Sequence, residues 1–277
     1  MNPEAFTNQP GQRLDIPDPA VSLQGTTMGG SIYKIFGTTL PVVVLTMRPQ
    51  VLFYSETGAL SWMSDGVRMN TNTGGGLSGI FKRAISGESL FVVDYQADRD
   101  GTLAAFSSDF PGKIIPINLG AGQSILAQKG AFLTAEKSVQ MSVALTRKLG
   151  AGLFGGEGFV LQQFIGPGTM FAAFDGEIVE YTLGAGEKMK VDTGHVAMFE
   201  YGVQYDIEVV KGFTNILFGG EGLFFATLTG PGRIWLQTMP MVKLAGAIAA
   251  YLPKSESPNK PASGGNIVGG ILDTLTR

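Results

Sequence analysis

The chain has 277 residues, of which 44% are hydrophobic and only 16% charged, and this balance argues against extensive disorder. Its formal net charge of −3 creates no basic field that would attract nucleic acid non-specifically. The absence of cysteine excludes disulfides, thiolate metal sites and thiol catalysis. The 40 glycines and 14 prolines follow no collagen period, and they predict many tight turns between short strands.

Residues 1–30 are predicted to form an N-terminal extension. Residues 1–25 are polar and contain prolines, and no basic start precedes an apolar run, so a secretory signal is not expected. The densest apolar run, Leu40 to Leu45, is far shorter than the roughly 20 residues of a membrane helix. We therefore expect a cytoplasmic protein without a transmembrane segment.

An internal repeat organises the middle of the chain. When residue 112 is placed on residue 176, residues 112–168 align with residues 176–232 without a gap, and one third of the positions are identical. We call this match the repeat alignment. A third, more diverged copy is predicted upstream, where Gly87-Glu88 corresponds to the Gly-Glu pairs and Leu45 to Gln50 correspond to Leu119 to Gln123. Such a period predicts tandem copies of one structural unit.

The predicted fold class is all-β, with a short C-terminal helix. The six predicted parts are the N-terminal extension, β repeats 1, 2 and 3, the helix and a flexible tail, at residues 1–30, 31–111, 112–175, 176–240, 241–253 and 254–277.

Strands alternate with glycine turns within each copy. Residues 113–117 and 177–181 are predicted strands that lead into Leu-Gly-Ala-Gly turns. Residues 204–210 alternate apolar and polar side chains, as in a half-buried strand. The Gly-Pro-Gly triplets at 166–168 and 230–232 predict type II turns, because proline fixes φ at one corner and glycine accepts a positive φ at the next.

The C-terminal part departs from the β pattern. Leu244, Ile248, Tyr251 and Leu252 fall on one helical face, and Pro253 ends that helix. Residues 254–266 are predicted to be a mobile linker, and residues 267–275 carry a short apolar face that is too short to be stable alone. This tail is predicted to order against the protein itself or against a protein partner.

Three glutamates, Glu88, Glu157 and Glu221, occupy the same place in the three copies. One interpretation is structural, since a carboxylate can accept hydrogen bonds from backbone N–H groups that a glycine turn exposes. The other is a ring of acids that lines a pore or pairs across subunits. The sequence leaves both interpretations open.

Basic residues precede each of these turns, and they form a candidate anion-binding position. They are Lys82, Arg83, Arg147, Lys148 and Lys211. They could instead pair with the glutamates or keep an edge strand charged and soluble. Other basic positions do not recur between the copies, so no full nucleic-acid-binding ring is predicted.

No catalytic, metal or cofactor site is predicted. His195 is the only histidine, and without cysteine a conventional zinc site and the common catalytic triads lack partners. The glycine patterns at 74–79 and 150–155 match G-x-G-x-x-G but do not lie in a βαβ unit, so they do not predict dinucleotide binding.

The Leu-Gly-Ala-Gly, Leu-Phe-Gly-Gly-Glu-Gly and Gly-Pro-Gly blocks, in this order, resemble the altered-inheritance-of-mitochondria family over about residues 42–240. The resemblance implies a fold like that of the tryptophan RNA-binding attenuation protein (TRAP). It implies three small β-sandwich units per chain, each a short double-stranded β-helix, and three chains that close into a nine-unit ring. The family supplies no catalytic residues. The RNA-contacting and tryptophan-binding residues of the attenuation protein have no clear match here.

We therefore expect a non-enzymatic homotrimeric β-ring that serves as a scaffold or interaction platform. The alternative is a binding protein for a small anionic ligand or nucleic acid that uses the repeated basic positions. An enzyme that works with carboxylates alone is a third hypothesis.

Overall fold

The structure is a computed structural model that describes residues 20–71, 92–147, 159–209 and 224–249, together with Tyr251. Within these ranges the regular structure is extended, apart from one short helix and two 3₁₀ turns. The prediction of an all-β chain with a short C-terminal helix is therefore confirmed at this level.

The strands fall into an N-terminal hairpin and three consecutive segments. The hairpin is β1 (Val21–Thr26) and β2 (Ile32–Phe36). The first segment contains β3 (Val42–Met47), β4 (Phe53–Glu56), β5 (Leu60–Met63), β6 (Val67–Thr71), β7 (Val92–Ala97) and β8 (Thr102–Ser107). The middle segment contains β9 (Gly112–Leu119), β10 (Ser124–Gln128), β11 (Phe132–Glu136), β12 (Gln140–Arg147), β13 (Phe159–Ile165) and β14 (Gly168–Asp175). The last segment contains β15 (Ile178–Leu183), β16 (Lys188–Asp192), β17 (Val196–Glu200), β18 (Gln204–Val209), β19 (Phe224–Thr229) and β20 (Gly232–Gln237).

These strands form four antiparallel sheets, two of which join neighbouring segments. The orders are β1-β2-β3-β8-β5, β6-β7-β4-β11-β14-β9, β12-β13-β10-β17-β20-β15 and β16-β19-β18. Each six-stranded sheet takes three strands from one segment and three from the next. The joining pairs are β4 with β11 and β10 with β17.

The core lies between the sheets because alternate side chains of each strand point inward. In β3 the alternating residues Val43, Leu45 and Met47 are fully buried. Large aromatic side chains such as Phe106 and Phe171 are also fully buried. Each such side chain contributes about 1.5–3 kcal/mol by leaving water.

Strands of the middle and last segments lie at positions separated by the offset of the repeat alignment. β10, the 3₁₀ turn Lys129–Ala131 and β11 fall on β16, the 3₁₀ turn Thr193–His195 and β17. Glycines with a positive φ correspond too, since Gly122 and Gly186 both have a φ of 76°. The pairing of β9 with β14 likewise matches that of β15 with β20, residue for residue over the length that both pairs share.

The first segment corresponds to the middle segment when Tyr54 is placed on Leu126, which matches β4, β5 and the start of β6 with β10, β11 and β12. Tyr54 faces Ala135 between β4 and β11, and Leu126 faces Phe199 between β10 and β17. A register shift also occurs at the same place in all three segments, where β5, β11 and β17 pair with β8, β14 and β20. Corresponding strands therefore pair in the same way, although the loops of the first segment differ in length.

The Gly-Pro-Gly turns are not the type II turns that the sequence predicts. The peptide bonds Gly166–Pro167 and Gly230–Pro231 are cis, and a turn with a cis proline is of type VI. The glycine after each proline does have a positive φ, as predicted. A Cβ on Gly166 would clash with the backbone oxygen of Gly120, so the close approach of these turns requires glycine.

The N-terminal hairpin extends the sheet of the first segment. β2 pairs with β3 from Ile32 opposite Thr46 to Phe36 opposite Val42. The predicted boundary between residues 30 and 31 falls in the turn of this hairpin. The hairpin therefore covers the edge of β3.

The helix α1 (Met241–Ala249) follows β20 and begins where the Oδ2 of Asp175 accepts a hydrogen bond from the Met241 N–H at 3.0 Å. On its predicted apolar face Leu244 is half-buried, whereas Ile248 is 52% exposed. No helix in the described ranges is long and apolar enough to cross a membrane.

Candidate functional site: a groove between the middle and last segments

A groove of about 570 Å³ lies where the middle segment meets the last segment. One side is formed by β9, from which the successive residues Ile115 to Leu119 line the groove. Because successive residues of a strand point to opposite faces, such a run means that the groove follows the edge of the strand. Among the described strands β9 pairs with β14 alone, so this edge has no strand partner there.

The opposite side carries a cluster of two acids, an arginine and a tryptophan from β15, β17 and β20. The indole N–H of Trp235 donates to Glu180 Oε2 at 2.7 Å, and the guanidinium of Arg233 lies 5.0 Å from the centre of the indole ring. Arg233 Nε and Nη2 both lie 2.8 Å from Glu200 Oε1. We call Glu180, Glu200, Arg233 and Trp235 the acid–arginine cluster.

The charged groups of the acid–arginine cluster are accessible and carry one net negative charge, whereas Trp235 is only 8% exposed. The side chains of Glu180 and Arg233 are 48% and 50% exposed, whereas Met198 and Ile125 beside them are buried and apolar. Hydrogen-bond acceptors, a cationic donor and an apolar floor are thus presented together. Such a surface can hold the donors, acceptors and apolar side chains of a bound molecule.

The corresponding place between the first and middle segments is filled by the chain itself. The turn between β1 and β2 lies there, and its Gly29 N–H donates to Glu136 Oε1 at 2.8 Å. The N–H of Met28 donates to Thr169 Oγ1, also at 2.8 Å. The β1–β2 turn is thus held by backbone donors against the middle segment.

The residues that hold this turn have counterparts in the groove. At the offset of the repeat alignment, Glu136 corresponds to Glu200 and Thr169 corresponds to Arg233. Glu136 is almost fully buried, and its Oε2 accepts the N–H of Thr169 at 2.8 Å. Glu200 Oε2 likewise accepts the N–H of Arg233 at 2.9 Å.

Sequence reasoning missed Glu136 and Glu200, although the signal was present. The two glutamates are an identical pair in the repeat alignment. In the first segment Ser64 takes the same role, since its Oγ accepts the N–H of Leu103 at 2.8 Å. The glutamates flanked by glycine are the more obvious candidates in a sequence, because glycine turns expose backbone donors.

The site residues that the sequence predicts lie almost entirely outside the described ranges. They are Glu88, Glu157, Glu221, Lys82, Arg83, Lys148 and Lys211. Arg147 is the last residue of β12, where its backbone faces Phe159 of β13. The tail at residues 254–277 also lies outside these ranges, so the anion-binding position and the tail's partner remain predictions.

A second polar cluster ties the first segment to the middle one. Lys137 Nζ lies 2.7 Å from Asp94 Oδ1, which is nearly buried. Burial raises the pKa of Tyr54 well above its usual value, and the negative charge of Asp94 adds to the rise. Burial also raises the pKa of Tyr95, against a smaller lowering by its hydrogen bond with Ser55. These hydroxyls stay protonated and act as structural hydrogen-bonding groups.

His195 connects the last segment to helix α1. Its Nδ1 lies 2.7 Å from the backbone oxygen of Gln237, which can only accept, so Nδ1 carries the hydrogen. Its Nε2 can then accept from Lys243 Nζ at 2.6 Å, and Lys243 also forms an ion pair with Asp192. Within the described part of the chain, no three acidic or histidine side chains are grouped to hold a metal ion.

Comparisons with known proteins place this architecture among proteins without an assigned activity. The family model described as mitochondrial biogenesis AIM24 matches residues 33–239. An uncharacterised protein of Streptococcus pyogenes serotype M6 is 33% identical over 226 residues, which cover 78% of this chain and 89% of that protein. A crystal structure of a Streptococcus pyogenes protein superposes with a TM-score of 0.66 at 27% identity, covering 79% of this chain and 99% of that one.

Proposed function

The chain belongs to the mitochondrial biogenesis AIM24 family, and we propose that it is a non-enzymatic, homo-oligomeric β-ring that acts as a scaffold or interaction platform. The cytoplasmic location expected from the sequence is part of this proposal. Each segment is taken to be one TRAP-like repeat, a short double-stranded β-helix. The common strand pairing of the three segments supports this interpretation.

The observation that carries the proposal is the pair of open sheet edges at the two ends of the chain. β4 joins β11 and β10 joins β17, yet the corresponding β16 pairs only with β19 among the described strands. At the other end β5, which corresponds to β11 and β17, pairs only with β8 among those strands. A second copy of the chain would supply β5 to β16 and continue the same pattern.

The pairings of β4 with β11 and of β10 with β17 fix the register of the proposed pairing of β16 with β5 of the next copy, which we call the joint. Leu126 faces Phe199 between β10 and β17, and their counterparts in β16 and β5 are Lys190 and Met63, which should therefore face each other. By the same correspondence Val191 would face Trp62. Trp62 and Met63 are 53% and 41% exposed, whereas their counterparts in β11 and β17 are buried. Covering them would remove apolar surface from water.

A closed ring also protects the chain from aggregation. An open edge offers unpaired backbone donors and acceptors to any other strand, and closure covers every such edge. The family resemblance gives three chains, and therefore nine segments, as the closed number. Open-ended growth would instead give filaments.

Cross-linking tests both the register and the closure. The natural chain has no cysteine, so a protein with Lys190→Cys and Met63→Cys has thiols only at the proposed joint. Mild oxidation should give a ladder on a non-reducing gel that ends at three chains. Facing strand positions are within the Cα separation that a disulfide allows.

The matched control moves one cysteine two positions along the same face of the strand. Lys188→Cys with Met63→Cys keeps the same chemistry but separates the thiols beyond disulfide reach. Equal cross-linking of both pairs, or none with the first pair, contradicts the proposed joint. A ladder that continues beyond three chains contradicts ring closure.

A further inference from the structure

We infer that the groove between the middle and last segments binds a peptide segment of a partner protein, in the manner in which the corresponding groove holds the chain's own β1–β2 turn. The inference goes beyond the ring, because the groove lies within one chain. It rests on the correspondence of four contact residues.

Four residues contact the turn and its flanking strand in the occupied groove. They are Val51, Glu136, Thr169 and Phe171. Their counterparts, by the same segment correspondences, are Gln123, Glu200, Arg233 and Trp235. All four counterparts line the groove between the middle and last segments. Corresponding strands thus form corresponding contact surfaces in the two grooves.

The edge that β2 covers in the first segment is open in the middle segment. β3 corresponds to β9, and its residues Val43 and Leu45 are fully buried in a core cluster that includes Tyr33 and Ile35 of β2. Ile115 and Ile117 take the same positions in β9 and are only half-buried. An added segment would bury them, as strand addition to a sheet edge does in peptide recognition.

The chemistry of the groove specifies features of the peptide. Glu200 corresponds to Glu136, which accepts the Gly29 N–H. The Oε1 of Glu200 already has two Arg233 nitrogens at 2.8 Å, whereas its Oε2 accepts the Arg233 backbone N–H and can accept one more hydrogen bond, from a peptide N–H. Free guanidinium donors of Arg233 can take a peptide carbonyl. Trp235 replaces Phe171, on which the Tyr33 ring packs at 5.2 Å, so an aromatic side chain fits there.

Two further features restrict the bound segment. A Cβ on Gly29 would lie 2.7 Å from Glu136 Oε1 and 2.9 Å from Val51, so glycine is required at the closest approach. Pro116 offers no N–H to an added strand, so contacts with the side chains of the acid–arginine cluster must supply much of the binding free energy. The net negative charge of the acid–arginine cluster favours a neutral or basic peptide over an acidic one.

The test uses the full chain and a synthetic peptide with the sequence of residues 21–36. The chain contains two tryptophans, so Trp62→Phe leaves Trp235 in the groove as the only indole reporter. Titration should give a saturable change in Trp235 emission, with one peptide bound per chain. Peptides carrying Gly29→Val or Tyr33→Ala should bind at least about tenfold more weakly.

A groove variant and a matched surface variant separate this site from the rest of the chain. Ile117→Glu places a charge on the groove wall and should abolish the response, whereas Val179→Glu, at an exposed aliphatic residue outside the lining, should not. No response up to about 1 mM peptide, or a response unchanged by Ile117→Glu, overturns the inference. Loss of the oligomer on Ile117→Glu would assign the groove to the hairpin of a second copy and would also overturn it.

Discussion

The contrast between Glu136 and Glu200 shows how burial decides the value of the same contact. Each carboxylate accepts the N–H of the second residue of the strand that pairs with its own, Thr169 of β14 for Glu136 and Arg233 of β20 for Glu200. Glu136 is nearly fully buried and accepts a second backbone N–H from Gly29, whereas the Glu200 side chain is 36% exposed. Water can replace a lost acceptor at Glu200 but cannot reach the buried N–H of Thr169 that Glu136 accepts.

Glu136→Ala should therefore lower the free energy of unfolding by about 2–4 kcal/mol, because it leaves the buried N–H of Thr169 and the partly buried N–H of Gly29 without their acceptor. Glu200→Ala should lower it by about 0–1 kcal/mol. Urea unfolding followed by circular dichroism measures both losses. Equal losses in the two variants would show that the burial of the carboxylate does not determine its contribution.

Asp175 gives the fold a pH dependence of definite sign. Burial raises the pKa of its carboxyl above the usual 3.8, and the hydrogen bond from the Met241 N–H lowers it by less. Between the usual and the raised value the folded state binds more protons than the unfolded state. This group therefore makes the fold less stable as the pH rises through that interval.

Asp175→Asn should stabilise the protein at pH 7, and the gain should shrink as the pH falls towards 4. The amide oxygen still accepts the Met241 N–H but carries no charge to desolvate. Asp175→Ala is the control, since it removes the acceptor and should cost about 1 kcal/mol. Thermal melts at the two pH values measure this. A gain for Asp175→Asn that is independent of pH would exclude the desolvated charge as its cause.

At the scale of elements, the sequence predicts the middle and last segments far better than the first. The repeat alignment has no gap, and the strand and 3₁₀ positions of those segments correspond throughout it. In the first segment Leu45 is predicted to correspond to Leu119. In the structure, however, Met47 faces the first residue of β8 as Leu119 faces the first residue of β14, so Met47 is the counterpart of Leu119. Altered loop lengths shift the register, and few identities remain to detect the shift.

The groove could not be predicted in the same way. Its lining comes from β9, β10, β15, β17 and β20, which meet only because β10 pairs with β17 across a segment boundary. A periodic sequence pattern reports which face of a strand is buried but not which strands become neighbours. The family resemblance is confirmed by the match over residues 33–239, and it too leaves the groove unassigned.

For the whole molecule, an exposed tryptophan on an edge strand separates folding from assembly. Trp62 is 53% exposed in the single chain, so Trp62→Lys should leave the fold of that chain intact. In the proposed ring it faces Val191 of the next copy, at a position whose counterparts Met198 and Thr134 are buried. A lysine there would be desolvated without an acceptor, and the joint should open.

Light scattering measures the number of chains in the oligomer directly. The parent should have the mass of three 29.2 kDa chains, and Trp62→Lys should have the mass of one, with an unchanged circular dichroism spectrum. Ile248→Lys, at an exposed position of α1 and therefore outside both β5 and β16, should remain trimeric. A parent that is already monomeric at micromolar concentration contradicts the ring, and a Trp62→Lys protein that stays trimeric places the joint elsewhere. An unfolded Trp62→Lys chain would mean that β5 belongs to the core of its own segment rather than to the joint with another copy.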